Sequence, residues 1–309
     1  MFPNKPKSLN IRGLNENTLI QLQSLAMSNE RSLEGEARYA IQQWCKLNPV
    51  GEISLDIKPS LEILERFKIS LDNVSKLGKS TLTYSQLAEK LKISIRDMDA
   101  WLSGRIDIPF DSLDELSVFL GCDPQWLKHG IGNPYKFYFY DISKQSPLDF
   151  ALDFLNTKLD GVRLSKLHIV FNEDTGYVYI IQEFDKENLC YVYLSSSFYL
   201  KGEYGSSELD NSARFVLFLL ALDKIKSNVI IKGYTIKNNV SEQFFTAAQC
   251  HPLLFRSYAK ESPWNEDIID ENYPISYWDG YKELQFKIHQ HIRNSELLKK
   301  YHKEINEYF

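Results

Sequence analysis

A short alternating segment near the start of the chain constrains its fold more than any other feature. Residues 7–12 read Lys-Ser-Leu-Asn-Ile-Arg, and this alternation of polar and apolar residues is typical of a strand with one buried face. Two helical segments follow, the first from about Asn15 to Ser28 and the second from Ser32. A single strand followed only by helices leaves its backbone N–H and C=O groups unpaired. We therefore expect this strand to pair with the same strand of a second copy.

The paired strands would form a ribbon with two different faces. Ser8, Asn10 and Arg12 share one face, whereas Leu9 and Ile11 point the other way, toward the helices. Arg forms paired hydrogen bonds with guanine, and Asn does so with adenine. The pattern predicts that Ser8, Asn10 and Arg12 contact double-stranded DNA. The alternative is that these side chains belong to a solvated edge strand.

The order of elements in residues 1–46 resembles the ribbon-helix-helix family of the Arc and MetJ repressors. The resemblance depends on the alternating strand, the helix after it, and the turn Asn-Glu-Arg-Ser-Leu-Glu at residues 29–34. It implies a homodimer that forms through the N-terminal ribbon and binds DNA. It also implies that Ser32 and Leu33, at the start of the second helix, contact a DNA phosphate.

The residues around Ser32 give a mixed indication for phosphate binding. Ser32 is a good N-cap, but Gly35 stands where a capping box would need Glu or Gln, so N–H groups at this helix end remain available to an anion. Glu34 and Glu36 lie in the same first turn, and their charges oppose anion binding. An ordinary N-cap is the simpler interpretation, and it is compatible with a phosphate contact.

Charge is distributed unevenly along the 309 residues. The net charge is -5, but residues 1–50 are net +2, residues 51–135 are net -3 and the remainder is net -4. Binding to nucleic acid is therefore expected at a local patch and not along the whole chain. The four cysteines show no CxxC spacing and no paired Cys/His spacing, which is typical of free thiols in a reducing compartment. The longest apolar run has eight residues, so we expect a cytoplasmic protein without a membrane segment.

Residues 47–59 contain two prolines and no helical period, which predicts a linker. Beyond it, helix start and stop signals recur through about residue 130. A capping box spans Thr83 to Gln86. The other predicted signals are N-caps at Ser94, Asp111 and Asp123, with glycines that end helices at Gly121 and Gly130.

Several spaced motifs in residues 60–135 look like the helix-turn-helix domain of the phage repressor/Cro class. They are Gln-Leu-Ala-Glu-Lys-Leu from residue 86, Trp-Leu-Ser-Gly-Arg from residue 101, and the segment 126–134. The resemblance implies that the helix after Ser94 lies in the major groove. Ile95, Arg96 and Ala100 would then face bases, while Ser94 and Arg105 would lie near phosphates.

Two acidic residues complicate that assignment. Asp97 and Asp99 are on the same short helix as Arg96, and phosphates would repel them at close range. The alternative is that Arg96 is a surface charge balanced by Asp99. We therefore expect the ribbon to supply most of the DNA recognition.

Residues 136–309 have the pattern of an α+β domain with a mainly antiparallel sheet. Aromatic and β-branched runs predict strands, and the loop at residues 172–176 joins two of them as a hairpin. Helical segments are predicted near residues 212–226, 241–249 and 280–308. The whole chain is thus expected to be a multi-domain protein: a ribbon-helix-helix domain, an all-α helix-turn-helix domain, and an α+β domain of unknown function.

No constellation for catalysis, metal binding or cofactor binding stands out in the α+β region. It holds His251, His289, His291 and His302, but without the spacing of a ligand set, and the chain has no Gly-rich phosphate loop or GxSxG motif. We expect core or surface histidines, no metal and no cofactor, and the sequence leaves enzymatic activity open.

The sequence as a whole favours a dimeric transcriptional regulator, such as a repressor, whose C-terminal module serves sensing, oligomerisation or binding of a protein or small ligand. Two alternatives remain. Residues 136–309 could be a toxin or nucleic-acid-acting effector fused to an antitoxin-like, autoregulatory front half. The small domains could instead be a scaffold for protein contacts, which would show no salt-sensitive DNA binding.

Overall fold

The computed structural model describes residues 16–29, 31–47, 59–78, 83–159, 161–186, 188–201, 205–225, 228–237 and 250–308. The chain divides into two compact units, Met1–Lys58 and Pro59–Phe309. The described residues form many helices and a mixed sheet, a multi-region α+β fold. Among the described helices, none combines the length and the apolar character needed to cross a membrane.

In the first unit, helices α1 (Glu16–Ser28) and α2 (Leu33–Leu47) contact each other, which confirms the two predicted helices. Ser32 precedes α2 and accepts a hydrogen bond from the Gly35 N–H at 3.0 Å, as expected of an N-cap. The predicted ribbon, with Ser8, Asn10 and Arg12, lies outside the described residues, as does most of the predicted linker.

The second unit begins with an array of short helices that surrounds its own apolar core. Phe67, Leu87, Met98 and Leu113 are fully buried in it. The predicted caps at Thr83, Ser94 and Asp123 are confirmed, and so are the left-handed glycines that end two of the helices. The helices of this array, called the helical array below, are α3 (Pro59–Leu77), α4 (Tyr84–Lys90), α5 (Ile95–Leu102), α6 (Phe110–Leu120) and α7 (Pro124–His129).

The predicted cap at Asp111 is wrong. Helix α6 begins at Phe110, two residues earlier than an Asp111 cap requires, and the preceding Pro109 makes no side-chain cap. Asp111 instead lies in the first turn of the helix, where its charge favours the positive end of the helix dipole.

A seven-stranded sheet follows in the described residues, with strand order β1-β5-β4-β3-β6-β7 and β2 beside β3. Strand pairs β1/β5 and β3/β6 are parallel, and the other pairs are antiparallel. The hairpin predicted at residues 172–176 joins β3 to β4. The strands are β1 (Phe137–Phe139), β2 (Lys158–Leu159), β3 (Val162–Asn172), β4 (Tyr177–Phe184), β5 (Cys190–Tyr199), β6 (Ile230–Ile236) and β7 (Lys260–Glu261).

Helices cover the sheet and enclose its main core. Helix α9 supplies Phe215 and Phe218, and Trp264 on α10 packs into the same cluster. The predicted helical segment 241–249 lies outside the described residues. The helices are α8 (Pro147–Leu155), α9 (Ser206–Lys224), α10 (Trp264–Asp267), α11 (Tyr281–Asn294) and α12 (Glu296–Tyr308), with 3-10 turns at Ile142–Lys144 and Pro252–Ser257.

The last predicted helix, residues 280–308, is two helices and not one. Ser295 has an extended backbone with ψ 122°, which ends α11 and lets α12 start in a new direction. The apolar stripe continues through the break, because Ile288 and Ile292 before it and Leu298 and Ile305 after it are all buried in the main core. This stripe therefore packs within the molecule.

Asn188, between β4 and β5, links the sheet to the helical array. Its side-chain Nδ2 donates to the Phe119 carbonyl at 2.9 Å, and its own carbonyl lies 2.9 Å from His251 Nε2. A Cβ atom on Gly121, at the end of α6, would come within 2.0 Å of the Asn188 carbonyl oxygen. The helical array and the sheet thus meet through close backbone contact. The division of this unit into separate domains at residues 60–135 and 136–309 stays a prediction.

Candidate nucleic-acid interface and the charged cluster of the sheet

Helices α4 and α5 form the part of the helical array for which DNA contact is predicted. Residues 91–94 connect them, with Lys92 in a left-handed conformation (φ 55°) and Ile93 N–H bonded to the Ala88 carbonyl at 3.0 Å. Helix α5 buries Met98 and Trp101 in the array. Its opposite face, which starts at Ile95, is exposed.

The structure places the predicted contacts of α5 unevenly. Ile95 is 59% exposed and Arg96 is also exposed, so both are accessible to a partner. Ala100 is only 7% exposed, which corrects the expectation that it could face bases. Arg105 is exposed, and its Nε donates to Ser103 Oγ at 2.8 Å.

Charge at the start of α5 does not favour a phosphate. The Ser94 hydroxyl accepts the Asp97 N–H at 3.1 Å and donates to the Asp97 carboxylate at 2.6 Å. Within the described part of the chain, Arg96 makes no ion pair, so its predicted balance by Asp99 is absent. A phosphate approaching this helix end would meet Asp97 without a neutralising cation.

The start of α2 differs, because each of its acidic residues is paired with an arginine. Glu36 is 4% exposed and accepts hydrogen bonds from Arg31 and Asn29, both at 3.0 Å. Glu34 pairs with Arg38 at 2.7 Å. The repulsion expected from these carboxylates is thereby reduced. Beside the Ser32 cap, Leu33 is 36% exposed.

A charged cluster in the sheet was missed by the sequence patterns. Glu183 on β4 lies opposite Lys166 on β3, whose Nζ is 3.1 Å from Glu183 Oε1. The other carboxylate oxygen is 2.7 Å from His168 Nε2 and also accepts from the Arg256 guanidinium. Arg256 Nη2 lies 2.9 Å from His168 Nε2. Since an ionised carboxylate can only accept, Nε2–H of His168 donates to Glu183.

The protonation states in this cluster follow from burial and charge. Burial raises the pKa of Glu183, but the hydrogen bond from His168 and the charge of Arg256 outweigh it and lower the pKa to about 2. Burial lowers the pKa of His168, which is 1% exposed. At neutral pH the cluster therefore holds an ionised Glu183 and a neutral His168 that is closed to solvent, an arrangement unsuited to proton transfer with a substrate.

Part of this cluster had a signal in the sequence. The hairpin predicted at residues 172–176 fixes the strand register and so places Lys166 opposite Glu183. No local pattern indicates Arg256, which is 73 residues away from Glu183 in the chain.

The other histidines of this region have structural partners. His251 is fully buried; its Nδ1 accepts the Leu253 N–H at 3.2 Å, so its Nε2–H donates to the Asn188 carbonyl, and burial lowers its pKa to about 4. His289 Nε2 donates to the Ile268 carbonyl at 3.0 Å. Among the residues that the structure describes, no three His, Cys, Asp or Glu side chains are placed to hold a metal ion.

The cysteines described as free thiols are Cys122, Cys190 and Cys250. Burial raises the pKa of Cys122 to about 12 and that of Cys190 still further, so both stay protonated and unreactive. No protein-family model, no curated protein and no solved structure matches the chain.

Proposed function

We propose that the chain is a dimeric, sequence-specific DNA-binding transcriptional regulator that acts in the cytoplasm. Its ribbon-helix-helix domain (residues 1–46) and helix-turn-helix domain (60–135) would bind DNA, and residues 136–309 would act in sensing or partner binding. The observation that carries the proposal is the α4–α5 pair. Two short helices joined by four residues, with the first turn of the second one exposed, are the usual elements of a helix-turn-helix.

The first unit supports the dimer. Leu19, Ile20, Leu25 and Met27 on α1 are between 37% and 82% exposed. Helices of 13 and 15 residues are marginally stable without tertiary packing. A second copy that covers these side chains, beside the paired ribbon, would supply the missing core.

The contrast between the starts of α2 and α5 supports separate roles in phosphate contact and base recognition. At α2, paired carboxylates leave the Ser32 end able to approach a phosphate, so Ser32 and Leu33 would position the protein. At α5, Asp97 opposes that approach. Base recognition is therefore assigned mainly to Asn10 and Arg12 of the ribbon, with Arg96 in a smaller role.

Gel-shift titration over a series of salt concentrations, with DNA flanking the chain's own gene and with random DNA, tests this assignment. Arg12→Ala should weaken binding to the specific site by about 1–3 kcal/mol and binding to random DNA much less. Ser32→Ala should weaken both DNAs by a smaller, similar amount. Arg163→Ala, at an exposed arginine of β3, is the charge-matched control and should change neither.

Three outcomes would contradict parts of the proposal. A larger loss from Arg96→Ala than from Arg12→Ala would make the helix-turn-helix the main reader. Binding that does not depend on salt, or no binding, would favour a protein scaffold. Nuclease or nucleotide-hydrolysing activity of the purified chain would favour an effector in residues 136–309.

A further inference from the structure

A cleft of about 480 Å³ lies where the helical array meets the sheet. Leu77 of α3 and Phe119 of α6 line one side. Lys166, Glu183 and Arg256 of the charged cluster line the other, with Lys186 near the turn after β4. This volume is within the range of about 300–1,000 Å³ that is usual for small-molecule sites.

Charge in the cleft favours an anion. Three cationic side chains, Lys166, Lys186 and Arg256, line it against two carboxylates, Glu183 and Asp185. Glu183 is already engaged by Lys166, His168 and Arg256, so its charge is offset within the cluster. The cleft therefore has a net positive lining.

Hydrogen-bond donors in the cleft remain available. In the described part of the chain, Arg256 donates only through Nη2, which leaves its Nε and Nη1 N–H groups without a partner. The side chain of Lys186 makes no hydrogen bond or ion pair with any described residue, and Lys186 is exposed. Glu183 holds the Arg256 guanidinium in place, which reduces the entropy lost when a ligand binds to it.

We propose that this cleft binds a small molecule that carries an anionic group, a carboxylate or a phosphate monoester, on an apolar body. Arg256 and Lys186 donate charge-assisted hydrogen bonds to the anionic oxygens. The apolar body packs against Leu77, Phe119 and Leu253. The site gives the sensing role of residues 136–309 a ligand class, but binding in the cleft does not depend on DNA binding.

Such a ligand contacts the array and the sheet at the same time. Because the cleft exists only while the two parts are packed together, an occupant stabilises the folded unit by an amount that grows with the logarithm of its concentration over its Kd. Ligand binding should therefore appear as a rise in the unfolding temperature of the full chain.

The test uses the full chain with two anionic probes, adenosine monophosphate and phenylacetate, and their uncharged counterparts, adenosine and phenylacetamide. Calorimetric titration and thermal unfolding are measured for each. At least one anion should bind about tenfold or more tightly than its counterpart, since a charge-assisted hydrogen bond contributes that much. The anion that binds tells whether the site takes phosphate or carboxylate. If neither anion binds at a ligand concentration of about 10 mM, the proposal is overturned.

Variants locate the site. Arg256→Gln should weaken anion binding about tenfold or more, and Lys186→Gln about threefold to tenfold. Lys287→Gln, which removes a lysine paired with Glu283 on α11 and outside the cleft lining, is the matched control and should bind as wild type. Lys186→Gln removes no folded-state partner, so it tests the site even if Arg256→Gln folds poorly. Unchanged affinity in Lys186→Gln, or an equal loss in the control, would contradict this location.

Discussion

In the unit Met1–Lys58, Ala26 is the one buried hydrophobic residue among those whose side-chain burial the structure describes, whereas the unit Pro59–Phe309 buries hydrophobic residues in several clusters. The larger unit can stabilise itself, because its helices and sheet cover each other's apolar faces. In the smaller unit, the described parts of α1 and α2 have good local helix signals but bury little apolar surface between them. Local helix signals and a sufficient apolar core are thus separate requirements for a stable fold, and one part of a chain can have the first without the second.

Removing residues 1–58 gives the largest effect that this comparison predicts. The chain that begins at Pro59 should be a monomer, should lose specific DNA binding, and should keep a cooperative thermal transition, since its core is internal. Light scattering after size exclusion and calorimetry measure these properties against the full chain at equal concentration. A truncated chain that is still a dimer would place the dimer interface in the larger unit.

A substitution at the junction tests how tightly array and sheet are joined. Gly121→Ala should lower the free energy of unfolding by about 3 kcal/mol, because the left-handed backbone disfavours Ala and the new Cβ meets the Asn188 carbonyl. Gly132→Ala is the matched control: Gly132 is also left-handed (φ 80°), with nothing within 4 Å of an added Cβ. It should cost about 1 kcal/mol. Urea unfolding measures the free energy of unfolding of both variants. Equal losses in the two variants would mean that the backbone around Asn188 moves to make room for the new Cβ at little cost.

Acid should destabilise the larger unit through His251. Burial lowers the pKa of His251 from 6.5 to about 4, so the unfolded chain takes up a proton first as the pH falls. The contribution of His251 to the free energy of unfolding is fully present above about pH 6.5. It falls by about 3 kcal/mol as the pH is lowered to 4. The lowered pKa of His168 adds to the decline.

Urea unfolding between pH 7 and pH 4 measures this dependence. His251→Gln should be less stable at pH 7, where a hydrogen bond is lost, but should show a shallower decline with acid. His129→Gln, at an exposed histidine, should keep the wild-type slope. A wild-type slope in His251→Gln would assign the acid sensitivity to other groups.

The smallest effect is expected at the start of α2. Glu36→Gln should weaken the nearly buried pair with Arg31 and destabilise α2 by about 1 kcal/mol. Glu34→Gln, which affects an exposed pair with Arg38, should cost less than about 0.5 kcal/mol. Hydrogen exchange of the α2 amides in each variant measures the difference. Equal effects would show that burial of Glu36 does not matter to the helix.

Sequence patterns predicted local structure well and distant contacts poorly. The caps at Thr83, Ser94 and Asp123 depend on residues within three positions, so they could be recognised from the chain alone. The break at Ser295 was missed because the apolar stripe continues through it.

The candidate sites show the same limit. The exposure of Ile95 and Arg96 followed from their place in the pattern of α5, but the pairing of Glu36 with Arg31 required the structure. Arg256 meets Glu183 only because the chain returns to the sheet after 73 residues, and no short-range pattern carries that information.

The contacts of Asn188 also set an order for folding during synthesis. Asn188 bonds to Phe119 across 69 residues and to His251 across 63. At about 5–20 residues per second, each partner leaves the ribosome roughly 3–14 seconds after the one before it. The helical array can form from local contacts in that interval, but its surface around Phe119 stays uncovered until the sheet arrives. Chaperone binding and aggregation are therefore most favoured at this junction while the chain is still being made.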